Sequence, residues 1–524
     1  MIQIKSLYRI AFVVLLIAAF QACTGDFERI NRKPYETTAK EMERDGYNIG
    51  ASLIGLQNMV IPTQENLHQF VEGLSGGEFG GYVAAIAPWG EGCFATYNPP
   101  ANWNRAPFND VISGVYPYYD QLRAITDDPV ALALAQLYRV AAMHRVTDAY
   151  GPIPYSKVGA SENGDALTSA YDSQEDVYKN MLADLNDVIQ TLTENRYADA
   201  SYYAKFDNVY GGVIERWVKF ANSLKLRLAL RMAYAAPTLA KQAAEEAVGH
   251  PIGVLAGNAD NAFLSVPKNP WDLQVNDWND ARANADIVSY MNGYQDPRRE
   301  KYFTLSTFSG GGYVGMRGGM VAAAKDPLLP CSKPVVTGTT EPMLWMNAAE
   351  VAFLKAEGAL RGWNMGGATA EDLYNEGITL SFQQHALAGA DAYLNDNTRT
   401  PAAYVYPLGN TAYNFGPNST ITTKWDNAAT DEQKLERIIT QKWIAIFPLG
   451  NEAWAEFRRT GYPKLAPVVT NNSNGAVPTG SFIRRLVFPN TEYQQNAANV
   501  AEAVRMLGGS DTQGTKLWWD KKTD

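Results

Sequence analysis

Cysteine is nearly missing from this chain: Cys23, Cys93 and Cys331 are the only three in 524 residues. So few cannot form a disulfide scaffold, and they fit no thiol-rich metal motif. A single Cys93–Cys331 bridge stays open in an oxidising compartment. Histidine is almost as scarce. His68, His144, His250 and His385 are far apart, and none belongs to an HExxH or sits beside a CxxC, so no local pattern suggests zinc. There is no G-x-S-x-G nucleophile elbow and no phosphate-binding GxxxxGK[ST]. Gly310–Gly315 fits GxGxxG by letter, but it runs into Met316-Arg317-Gly318-Gly319, which cannot open the helix a dinucleotide site requires. Basic runs are absent too. Lys and Arg number 45 against 55 Asp and Glu, a net charge of −10, which argues against nucleic acid and against a basic membrane-surface helix. With 55 acidic residues, the presence of carboxylate pairs says nothing about glycosidase chemistry. Glu452 and Glu456 lie at i, i+4, but Arg458 and Arg459 beside them point to an ion-pair network. No catalytic residue, cofactor or metal is expected.

One apolar run is present, and it is short. Lys5 and Arg9 precede Ile10–Phe20, a segment too short for the ~20 residues that span a bilayer as a helix. A basic start and a short apolar core read as a signal peptide. It closes on Ala22-Cys23, which resembles a bacterial lipobox, in which the cysteine (here Cys23) is lipidated and becomes the mature N-terminus. Acyl chains partition into membranes at about 0.8 kcal/mol per buried CH₂, so several on one residue anchor stably. Asp26 and Glu28 follow closely and resemble the signal that sends such lipoproteins to the outer face of an outer membrane. The expected organisation is a signal peptide over 1–22, a lipidated tether over 23–38 and a single domain over 39–524.

The rest reads as mainly α. Val177, Met181, Leu185, Val188 and Leu192 form one apolar stripe, predicting a helix over 175–192. Further helices are expected over 131–148, 215–234 and 431–447. The second of these is dense in cations (Arg216, Lys219, Lys225, Arg227, Arg231), read as a solvated or ion-paired face. Segments 347–360 and 371–385 flank the polar, Gly-rich RGWNMGGATA and predict a tetratricopeptide-like helical hairpin, with Ala356 and Gly358 allowing close approach. Strand signals are sparse. Residues 73–109, 250–282, 305–342 and 396–428 read as long irregular excursions, and loops of that length in a compact domain are usually functional.

Several segments together resemble the SusD/RagB lipoproteins, in their SusD-like branch. They are YRVAAMHRVTDAYGPIPYS (138–156), WVKFANSLKLRLALRMA (217–233), Asp296-Pro297-Arg298, GNEAWAEFRRTGYPKL (450–465), FIRRLVFPNTEYQQNAANVAEAV (482–504) and the acidic start CTGDFERIN. The resemblance covers nearly the whole mature chain. It implies a SusD-like helical scaffold with tetratricopeptide-like helix pairs and long ligand-binding loops. It also implies a surface lipoprotein that is not an enzyme, captures glycans or, in some members, peptides, and delivers them to a SusC-type TonB-dependent transporter. A secreted glycosidase or a structural surface protein are the competing readings.

Ligand contacts are sought where aromatics and polar groups interleave outside helical periodicity, because a sugar offers an apolar C–H face and a rim of hydroxyls. Two stretches fit best. One is 89–105, with Trp89, Tyr97, Asn98, Trp103, Asn104 and Arg105; the other is 271–282, with Trp271, Asn276, Asp277, Trp278, Asn279 and Arg282. The resemblance puts the first where the SusD prototype keeps part of its aromatic arc. Tyr313 and Arg317 form a weaker third candidate. Loop tryptophans also pin loops onto cores, so the expectation is that at least one of Trp89, Trp103, Trp271 and Trp278 stacks on ligand.

Overall fold

The computed structural model describes residues 46–90, 92–158, 168–198 and 204–523. The expected signal peptide, Cys23 and the expected tether lie outside the described residues. Residues Ile49–Asp524 group as one unit.

Helices dominate, and the predicted ones appear within a few residues of their expected ends. Pro129–Tyr150 starts at an Asp128 cap whose carboxylate accepts from Val130 and Ala131 N–H, with Pro129 in the first turn. It stops at Gly151, whose φ of 92° is a conformation that suits glycine. Gln174–Glu194 is capped by Ser173, and Asp431–Ala445 by a reciprocal Thr430/Gln433 box. Ile214–Arg231 ends three residues earlier than its predicted limit of 234. The hairpin pairs Ala348–Leu360 with Ala370–Gln384. The close approach comes from Gly377, where a Cβ would lie 2.7 Å from the Phe353 ring; Gly358 instead faces Met365.

The cation-dense helix is a correction in part. Lys225, Arg227 and Arg231 are buried, not solvated, and their charges are paired. Arg227 makes a two-pronged contact with Glu350 at 2.8 and 2.7 Å. Arg231 reaches Glu452 at 2.6 Å and Glu456 at 3.0 Å, and Lys442 reaches the same two carboxylates at 3.1 and 3.3 Å. Arg459 clasps Glu357 and Glu456, each at 2.6 Å. Four helices are thus tied by one ionic core. Burial alone pushes the Glu452 carboxyl up, but Arg231, Lys442 and Arg227 outweigh it and hold it at about 2.

The expected irregular stretch 73–109 is partly helical. Gln69–Gly77 winds as a π-helix, and Ala101–Arg105 leads through a second π-turn into Val111–Ile125. Helix Gly450–Thr460 crosses the first π segment so closely that a Cβ on Gly450 would sit 2.3 Å from the Gly77 nitrogen. Two antiparallel ladders complete the framework: β1 (Val83–Ala85) with β3 (Ala281–Ala283), and β2 (Ala262–Leu264) with β4 (Met343–Met346). Cys93 and Cys331 are both buried free thiols, so the bridge left open above is not formed.

Candidate functional site

The β1–β3 ladder joins two stretches that lie almost two hundred residues apart. Val83 pairs with Ala283 and Ala85 with Ala281, and the Ile86 N–H donates to the Asp280 carbonyl at 2.8 Å. From that end of the ladder the chain continues into Trp89 on one side and arrives from Trp278 on the other. The two loops picked out by composition therefore leave from one short sheet.

On the first loop the aromatics gather. Phe94 is fully buried, and Trp103 lies over it with ring planes 27° apart at 6.1 Å. Trp89 meets Trp103 edge-on at 5.0 Å, and Phe70, on the π-helical segment, approaches from another side at 5.4 Å. Trp89, Trp103 and Phe70 are each half-buried, so this is a shelf with a floor in the core and rings open to solvent. The indole N–H groups of Trp89 and Trp103 have no hydrogen-bond partner among the described residues. By contrast, the buried indoles of Trp217, Trp443, Trp454 and Trp519 donate to Asp207, Gly80, Ile483 and Asp148. Apolar ring faces with unclaimed donors at their edges suit a ligand that is apolar on one face and hydroxylated at its rim.

The neighbouring residues divide by burial. Asn98 is exposed beside Tyr97, which takes a left-handed φ of 61° and is itself buried against Phe79. Asn104 is buried, donating to the Val487 carbonyl at 2.9 Å while its own carbonyl accepts from the Tyr150 hydroxyl. Arg105 pairs with Asp110 at 3.1 Å. On the second loop Trp278 is half-buried and Asp277 exposed. Asn276 is held between Asp272 and Lys333 at 2.7 Å each. Arg282 is buried and donates to the Leu329 and Ala281 carbonyls, so it braces the loop from within. Trp271 is buried as well. It meets His68 edge-on at 5.2 Å and lines a cavity of about 130 Å³ with Tyr302 and Phe447. In the third candidate, Arg299 covers Tyr313 at 5.2 Å, and Arg317 donates through Nη2 to the Pro467 carbonyl and lies over the Phe415 ring, while its Nε and Nη1 are buried without a partner.

Two buried carboxyls brace the segments around the β1–β3 ladder, Glu78 just before β1 and Asp286 in the helix Ala285–Gly293 that follows β3. Glu78 accepts from the Ala85 N–H at 2.8 Å and the Gly319 N–H at 3.2 Å, tying β1 to the glycine-rich loop; burial pushes it up to about 7. Asp286 accepts from the Ala466 N–H and from Asn418, each at 2.8 Å, and burial raises it to about 6. Phe70, Glu78 and Asp286 were missed by a search confined to aromatic loops. Phe70 sits in a helical stretch, and the two acids are recognisable only by their burial.

A mainly helical scaffold that opens an aromatic face on its loops defines a binding protein. The chain belongs to the SusD-like family, described as SusD and RagB outer-membrane lipoproteins, whose model matches residues 29–520. It is similar in structure to a SusD homologue from Bacteroides thetaiotaomicron, at 46% identity and a TM-score of 0.86, over 91% of this chain and 99% of that one. A SusD homologue from Bacteroides ovatus matches at 42% identity and 0.86, over 91% and 100% of the two chains. A chitin-binding SusD homologue from Flavobacterium johnsoniae matches at 40% identity and 0.86, over 91% and 99%. No functionally curated protein matches the chain.

Proposed function

We propose that this protein is a lipid-anchored, outward-facing glycan-binding component of an outer-membrane uptake system. The observation that carries the reading is the half-open shelf of Trp89, Trp103 and Phe70 with unclaimed indole donors. Sugar C–H faces stack on the rings, and the indole edges together with exposed Asn98 and Asp277 meet hydroxyls. Trp278, on the loop that shares the ladder, and Asn276 extend the surface. Tyr97, Asn104, Trp271 and Arg282 act from behind it, holding both loops in place.

Anchoring follows the sequence: residues 1–22 are removed, Cys23 carries acyl chains, and 23–38 tether the domain 39–524. The partner is a SusC-type TonB-dependent transporter, into which captured oligosaccharide is passed uncut. Modest affinity suffices, because a tethered binder works at a high effective concentration. The chitin-binding relative makes chitooligosaccharide the first probe. The test is a panel of neutral oligosaccharides titrated against the whole purified chain, with a pull-down of the anchored protein from outer membranes. The reading expects at least one saccharide to bind unhydrolysed and a barrel transporter to copurify. Turnover of the panel, or neither binding nor a barrel, would overturn it.

A further inference from the structure

A second surface has the opposite electrostatic character from the rest of the chain. Between the end of helix Gly450–Thr460 and the C-terminal strip lies an open groove of about 880 Å³. That is within the ~300–1,000 Å³ typical of small-molecule sites. Its lining includes five cations, Arg458, Lys464, Arg484, Lys516 and Lys522, and no carboxylate among the described residues. In a protein of net charge −10 such a concentration is conspicuous. The balancing acids, Glu432, Glu436 and Asp520, are not part of the lining.

The five cations are not equally committed. Lys522 is fully engaged, by Glu432 and by the Thr460 carbonyl at 2.7 Å, where it also offsets the negative end of the helix. Lys464 and Lys516 are about half exposed and stand 4.0 Å from Glu436 and 3.9 Å from Asp520, beyond hydrogen-bond reach. Arg484 is 3.4 Å from Asp520. Arg458 is buried between Trp454 and Trp519, and its Nη2 has no hydrogen-bond partner. The Asp520 oxygens accept no hydrogen bond either. The groove thus holds ammonium and guanidinium groups whose donors are not used up within the protein.

It also has an apolar face. Phe482 is half-buried and packs edge-on against Phe457 at 4.7 Å; both line the groove. Gly461 and Gly480 border it with φ near 80°, and a Cβ at either would meet nothing within 4 Å, so the walls stay low. Cations beside an aromatic ring suit a ring-shaped ligand bearing carboxylate or sulfate. We infer that this groove is a second saccharide subsite, separate from the tryptophan shelf, that takes acidic sugars. The inference rests on the glycan-binding reading for its ligand class, but on different residues for its evidence.

The test titrates the whole chain with a galacturonate hexamer, a chondroitin sulfate hexasaccharide and a neutral chitohexaose. At least one acidic probe is expected to bind, more weakly as salt rises. The double variant Lys464→Gln/Lys516→Gln should lose that binding at least tenfold while keeping the neutral sugar. Both lysines are half exposed, so folding is expected to survive, with an unchanged Tm as the control. The shelf variant Trp89→Ala/Trp103→Ala should do the reverse, which separates failure of the groove from failure of the shelf. The inference is overturned if neither acidic probe binds, or if the lysine variant binds them as tightly as the parent. It is also overturned if a glutamate hexapeptide competes for the groove as well as the sugars do.

Discussion

In the helical core, the buried carboxylates Glu350, Glu357, Glu452 and Glu456 each lie within 3.1 Å of a cation. Around the β1–β3 ladder, Glu78 and Asp286 are also buried, yet neither forms an ion pair among the described residues. They rely on backbone and amide donors instead. The two arrangements respond oppositely to burial. Where cations surround Glu357, Glu452 and Glu456, the charged form wins and the carboxyl drops; at Glu78 and Asp286 desolvation outweighs the N–H donors and, for Asp286, the Arg317 charge, and the carboxyl rises. The core is therefore locked as charged pairs, while Glu78 and Asp286 hold their segments with carboxyls raised to about 7 and about 6.

The comparison can be broken most forcefully in the core. Glu452→Gln leaves Arg231 and Lys442 short of a carboxylate, and removing one partner of a buried pair costs about 3–5 kcal/mol. Urea unfolding should show that loss; a change below about 1 kcal/mol would mean the ionic core does not hold the helices together.

The pH response sharpens it further. The Glu452 carboxyl is lowered in the folded state, so its contribution is present above pH 4.5 and lost as pH falls towards 2. The Glu78 carboxyl is raised from 4.5 to about 7, so the folded state binds the extra proton. Stability from this group is full below pH 4.5 and falls as pH rises through 7. At 1.36 kcal/mol per pKa unit this amounts to about 3 kcal/mol. In Glu78→Gln that decline should vanish, so Tm relative to the parent should improve between pH 4.5 and about 7 and then level off. A constant difference across that range would refute the assignment.

The smallest effect on stability is expected where the effect on binding is largest. Trp89 and Trp103 are half-open, so replacing both by Ala should cost only about 1–2 kcal/mol of stability in urea unfolding. A loss as large as that of Glu452→Gln would make the shelf a core element.

Much of the scaffold was legible in the sequence because helices announce themselves locally. The 177/181/185/188/192 stripe, the Ser173 and Thr430 caps and Gly151 each act within a few residues of where they stand. That Glu452 and Glu456 sit in an ion-pair network was readable from the sequence, but of the adjacent arginines only Arg459 takes part, with Glu456; the partners of Glu452 come from other helices. The site was legible only by composition. Pairing of 83–85 with 281–283 has no local signal, so nothing in the sequence joined the two loops. Nor does composition separate Trp103, half-open over Phe94, from Trp271, closed against His68. Arg282 and Asn104 look like ligand contacts by residue type, but both are buried: Asn104 donates to the Val487 carbonyl, and Arg282 to the Leu329 and Ala281 carbonyls and the Asn279 side chain.

The most direct test of the central claim is calorimetric titration of the neutral oligosaccharide that binds best, against the parent and against Trp89→Ala/Trp103→Ala. Loss of the apolar area that the two rings offer a sugar predicts at least a tenfold weaker affinity, about 1.4 kcal/mol, in a variant that still unfolds cooperatively. Full affinity in the double variant would contradict the account, because the aromatic shelf would then not be where sugar binds.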